Sequence, residues 1–85
     1  MSSYVIRLSN RAEKNLDALP NRVVIKIYES LKKLSVNSRP VGCKKLKNRE
    51  GYRIRLGDYR AIYTIKENEL IILVLTIGHR KDVYE

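Results

Sequence analysis

The spacing of apolar and polar positions changes along this chain, and the changes mark its elements. Tyr4-Val5-Ile6-Arg7-Leu8 reads as a first strand. Ser9 or Asn10 then supplies a helix N-cap, and Asn10 with Glu13 approximates a capping box. Ala12, Leu16 and Leu19 recur at helical spacing and form the apolar face of a short helix that Pro20 ends. Asn21 is placed to cap a second helix, whose stripe is Val24, Ile27, Leu31 and Leu34, with Val23 and Tyr28 at its margins. Lys26, Lys32 and Lys33 lie off that stripe and read as a solvated face. Asn37, Ser38 and Pro40 break the helix. Only Leu19-Pro20-Asn21 joins the two helices, so an antiparallel hairpin is expected.

Residues 41–51 form a basic loop with Leu46 as its single strong apolar anchor. Three strands follow, over 52–56, 59–65 and 70–78. Gly57-Asp58 has glycine first, as a type II′ hairpin turn prefers. Ile71-Ile72-Leu73-Val74-Leu75 is apolar at every position, which predicts a central strand covered on both faces. The order βααβββ defines an α+β fold, with a mostly antiparallel sheet and a helical hairpin packed on one face. The whole of 1–85 is expected to be one domain, with no repeats or linkers.

Charge sharpens this picture. Lys and Arg number 18 against 9 Asp and Glu, a net charge of +9, so the partner is expected to be anionic: a nucleic acid, an acidic protein or an anionic membrane. Clustering favours a dedicated surface over a merely soluble one. Arg39, Lys44, Lys45, Lys47, Arg49, Arg53, Arg55 and Arg60 are opposed within 39–60 only by Glu50 and Asp58. Cys43 is the lone cysteine, so no intrachain disulfide forms, which fits a reducing cytoplasm. One His and one Cys far apart build no metal site. Arg7 interrupts the first apolar run, which is too short for a signal peptide, and 70–75 is too short to span a bilayer.

The predicted turn fixes a register. Leu56 opposes Tyr59, Arg55 opposes Arg60, Ile54 opposes Ala61 and Arg53 opposes Ile62. Opposed and alternate residues share a sheet face, so Arg53, Arg55 and Arg60 project together, away from the core-facing Tyr52, Ile54, Ala61 and Tyr63. Like charges directly opposite destabilise a sheet. Packing gives no reason for Arg55 across from Arg60, whereas polyanion binding does, because guanidinium forks grip phosphate oxygens and stay charged. The alternative is a splayed, solvated pair. A second cluster, His79-Arg80-Lys81-Asp82-Val83-Tyr84-Glu85, follows the last strand. Arg80 can join the strand arginines, and Tyr84 can stack on a base, donate a proton or simply pack. His79 is a candidate proton donor or acceptor, or serves structure.

Together, Lys45-Leu46, Tyr52-Arg53-Ile54-Arg55-Leu56, Gly57-Asp58-Tyr59-Arg60-Ala61-Ile62-Tyr63 and Ile77-Gly78-His79-Arg80 with Val83-Tyr84 resemble the RelE branch of the RelE/ParE toxin superfamily, over essentially the whole chain. The resemblance implies the toxin of a type II toxin–antitoxin system: a cytoplasmic, ribosome-dependent endoribonuclease that cuts mRNA in the A site without a metal or cofactor. By the same resemblance, Arg55, Arg60, Arg80, Tyr84 and His79 form the catalytic set. Arg53, Lys44, Lys45, Lys47 and Arg49 are the RNA-binding set. The family's strand Lys-x-Lys pattern stands here as Arg53 and Arg55. An acidic antitoxin is the implied protein partner. A ParE-like protein that poisons DNA gyrase without nuclease chemistry shares the fold and is the alternative.

Overall fold

The computed structural model describes residues 3–79, and within them the strands assemble into one sheet of order β1-β5-β4-β3-β2. These are β1 (Val5–Leu8), β2 (Lys44–Lys45), β3 (Tyr52–Leu56), β4 (Tyr59–Lys66) and β5 (Ile71–His79). The helices α1 (Asn10–Asp17) and α2 (Asn21–Val36) stand between β1 and β2 in the chain. β1 runs parallel to β5, and every other pairing is antiparallel. The expected α+β architecture is therefore present, with one short strand more than the pattern predicts. Lys44 and Lys45 leave the basic loop to pair with Arg53 and Tyr52 at the sheet edge.

Both helices lay their apolar stripes on one face of the sheet. Ala12 and Leu16 from α1 meet Ile27, Leu31 and Leu34 from α2 over Leu56, Ala61, Tyr63, Ile72, Val74 and Ile77. Fully burying side chains of this size is worth about 1.5–3 kcal/mol each, which makes this layer the main source of stability. Tyr63 carries a phenol into it and is wholly buried. Its hydroxyl donates to the Ser38 carbonyl at 2.8 Å, so the polar end is satisfied.

Of the two caps expected for α1 the structure selects one, and the start of α2 differs from expectation. Ser9, not Asn10, caps α1: its hydroxyl accepts from the Ala12 N–H at 3.0 Å and donates to the Leu75 carbonyl at 2.7 Å. A cap that also holds a strand 66 positions away is preferred over the local Asn10–Glu13 box. Asn21 is the first residue of α2 and not its cap. Pro20 precedes it, and the Pro20 carbonyl accepts from the Val23 and Val24 N–H groups.

The last strand departs in two ways. Ile72 and Val74 are fully buried, but Ile71, Leu73 and Leu75 remain partly exposed. β5 is thus internal to the sheet but covered fully on the helix side only, among the described residues. It also carries a bulge. Ile62 pairs with Thr76 while the next residue, Tyr63, pairs with Val74, leaving Leu75 as the extra residue. The bulge shifts the strand's alternation, so Ile72 and Val74 face the helices before it and Ile77 faces them after it.

Candidate nucleic-acid interface

Three of the predicted basic residues converge as expected. The β3–β4 hairpin has the anticipated register, with Arg55 opposite Arg60 and Arg53 opposite Ile62. Gly57 at φ 66° begins the turn, while Asp58 keeps a negative φ, as a type II′ turn requires. Arg53, Arg55 and Arg60 therefore share the face that the helices leave uncovered. Arg55 is exposed and turns back so that its Nε donates to the Gly57 carbonyl at 3.1 Å. Lys44, opposite Arg53, joins the same face. Gly78 lies across from Arg60 on β5 and brings no side chain.

In the middle of this cationic face stands Ile62, 1% exposed. Leu46 and the edge of Leu75 cover it, forming a small cluster separate from the main core. Leu46 thereby pins the basic loop over the arginine face. The Leu46 N–H donates to the Gly51 carbonyl at 3.0 Å, which closes the loop around Lys47 and Arg49. Gly51 has φ 133°, and a Cβ there would come within 3.1 Å of the Tyr63 carbonyl oxygen and 3.3 Å of Leu46. Only glycine suits both the backbone angle and the space.

Two predicted residues fall elsewhere. Lys45 is paired with Tyr52 and so faces the helix side, where it lines a cavity with Arg39, Glu50 and Glu67. His79 is paired with Tyr59, and their rings meet edge to face with centroids 5.7 Å apart. Expected in the catalytic set, His79 stands on the face opposite the arginines, because the extra residue at Leu75 shifts β5 by one position. Arg80 and Tyr84 lie outside the described residues.

Arg39 has a role that sequence reading missed. Its Nε donates to the Tyr52 hydroxyl at 2.9 Å, and its other arm makes an ion pair with Glu67. These two partners, Tyr52 first, hold its guanidinium protonated and push its pKa up. Tyr52 in turn stacks on Tyr63, with centroids 5.7 Å apart. The segment leading into the basic loop is thus tied to both β3 and the turn before β5. The only sequence signal was an arginine beside Pro40, after the helix end. Tyr63 is the other perturbed group. Burial pushes its phenol pKa up, and nearby Cys43 adds to the shift.

Among the described residues no group of three His, Cys, Asp or Glu side chains could hold a metal ion, and no helix is long and apolar enough to cross a membrane. The surface offers fixed positive charge and hydrogen-bond donors, suited to phosphate.

A mixed sheet backed by two helices, with an arginine-rich open face, defines a class of small toxins, and the chain belongs to it: the model of the ParE toxin family of type II toxin–antitoxin systems matches residues 6–84. Its relatives carry RelE-type names. Toxin RelG of Mycobacterium tuberculosis is 29% identical over 83 residues, covering 95% of both chains. The toxin RelE1 of Methanocaldococcus jannaschii is 30% identical over 86 residues, covering 96% of both. Among solved structures, the RelBE2 toxin–antitoxin complex of Mycobacterium tuberculosis superposes with a TM-score of 0.85 at 27% identity, over 96% of this chain and 97% of that one. The archaeal RelE of the Pyrococcus horikoshii RelE–RelB complex shares the fold, with a TM-score of 0.78.

Proposed function

We propose that this toxin is a RelE-type endoribonuclease that cleaves mRNA on the ribosome, without a metal, by attack of a 2′-OH on the adjacent phosphodiester. The observation that carries this reading is the direct opposition of Arg55 and Arg60 on the uncovered sheet face, with Arg53 and Lys44 beside them. A sheet gains nothing from that opposition, whereas a phosphate bound between the two offsets their repulsion.

In the reaction the 2′ oxygen forms a bond to phosphorus and the bond to the 5′ oxygen breaks, leaving a 2′,3′-cyclic phosphate. One proton leaves the 2′-OH and one reaches the departing 5′ oxygen. Arg60, with Arg80, holds the scissile phosphate and stabilises the charge that builds on its oxygens. Arg53 and Arg55 orient the backbone and favour ionisation of the 2′-OH by their charge. Lys44, Lys47 and Arg49 extend the contact to flanking phosphates. Tyr84 stacks on a base or assists proton transfer. His79, on the Tyr59 side of the sheet, stays out of this set. Two of the relatives are known in complex with RelB antitoxins, and an acidic antitoxin laid over the arginine face would neutralise this chain in the cytoplasm.

Programmed ribosomes incubated with the toxin, followed by mapping of mRNA 5′ ends, test the proposal. Arg60→Ala is expected to slow single-turnover cleavage by at least about 100-fold, the loss typical of removing one charge-stabilising donor. Its thermal stability should be unchanged or slightly raised. Cleavage should survive EDTA at concentrations that leave the ribosomes intact. A wild-type rate for Arg60→Ala would remove the assignment. The matching family model carries the ParE name, and the second reading is the gyrase poisoning of a ParE-like toxin. Chromosomal DNA breaks after expression, without mRNA cuts, would establish that reading instead.

A further inference from the structure

The bulge in β5 frees backbone groups next to the arginine face, and α1 meets them from the other side of the sheet. The Asn15 side-chain oxygen accepts from the Ile77 N–H at 3.0 Å and from the Thr76 hydroxyl at 3.2 Å. The Ser9 hydroxyl donates to the Leu75 carbonyl at 2.7 Å. Three consecutive residues at the bulge are thus tied to the cap of α1 and to a side chain within that helix, more than 60 positions away in sequence.

The bulge also sets the phase of the strand beyond it. With Leu75 as an extra residue, Gly78 stands across from Arg60 and His79 across from Tyr59. Were the extra residue absorbed, the partner of Arg60 would be Ile77, and His79 would change faces, because a one-residue slip flips every side chain. Arg60 would then have a bulky apolar side chain directly opposite it on β5, where Gly78 now brings none. Unpaired buried backbone groups are costly, so a bulge persists where something satisfies them.

We infer that Asn15, assisted by Ser9, is a positioning residue for the RNA-cleaving face: it locks the β5 bulge and so keeps Gly78, and not a larger side chain, opposite Arg60. The inference rests on the nuclease reading for its functional half, while its structural half stands without it. Asn15 touches no substrate and acts through the register of β5.

The test uses isotopically labelled full-length toxin. In the wild type, the Ile77 amide should exchange with solvent as slowly as the core strand amides, and His79–Tyr59 ring contacts should appear in nuclear Overhauser spectra. Asn15→Leu, which keeps the size and removes the acceptor, should lose that protection and those contacts. It should also lower kcat for mRNA cleavage roughly 10- to 100-fold, as misplacement of a site by about an ångström does. Asn15→Asp, which restores an acceptor, should recover both. Fast exchange at Ile77 in the wild type would overturn the lock whether or not any variant folds. Wild-type register or wild-type cleavage in a folded Asn15→Leu protein would overturn it as well. If the wild type cuts no mRNA while the register responds as described, the nuclease reading fails and the lock stands.

Discussion

At Tyr63 the fold takes a phenol out of water and holds it against the Ser38 carbonyl. Burial raises its pKa, so the folded state keeps a proton that the unfolded chain releases above a pH of about 10. The stability from this group is complete below that pH and declines as pH rises past it, because the folded state then binds more protons than the unfolded one. The melting temperature should therefore fall as pH rises above about 10, and fall less steeply in Tyr63→Phe. At neutral pH that variant should be less stable by about 1–2 kcal/mol, having left the Ser38 carbonyl without its donor. Differential scanning calorimetry at several pH values checks both. The sequence pattern places Tyr63 on the core face opposite Tyr52, where it stands. Its phenol could not be matched to Ser38, since the bond joins residues 25 positions apart.

At the scale of elements, the β3–β4 hairpin and the basic loop are contrasting cases. Glycine and aspartate at a two-residue turn determine the hairpin register locally, and every pairing expected from it is present. The loop gave only a lone leucine among charges. Its fate depends on Ile62, which presents an apolar spot on the arginine face for Leu46 to cover. Leu46→Ala should cost about 2 kcal/mol, the low end for a buried leucine because this cluster is small. Urea denaturation measures that loss. Lys44 and Lys45 likewise diverge to opposite faces only because the basic segment includes a short edge strand, where adjacent residues alternate.

For the molecule as a whole, the net charge of +9 is distributed unevenly, and the helix-free face of the sheet holds Lys44, Arg53, Arg55 and Arg60 together. Affinity for a single-stranded RNA oligonucleotide should fall steeply with salt, through release of counterions from the phosphates. Replacing both Lys47 and Arg49 by glutamine should reduce the slope of log affinity against log salt by about 1.4, at about 0.7 per lost phosphate contact. An unchanged slope would mean that the loop lies off the RNA path.

The chain's periodicity by itself determined the order of the two helices and four of the five strands, the helix-facing stripes and the shared face of three arginines, because each follows from contacts between near neighbours along the chain. Tertiary structure alone decided the rest. Ser9, the cap of α1, and Asn15 within it hold a bulge in a strand some 60 residues later, and that bulge sends His79 to the Tyr59 side. Arg39 reaches Glu67 across the fold. A strand's phase can shift by one residue wherever distant side chains satisfy the freed backbone groups, and no local pattern records where those side chains will be.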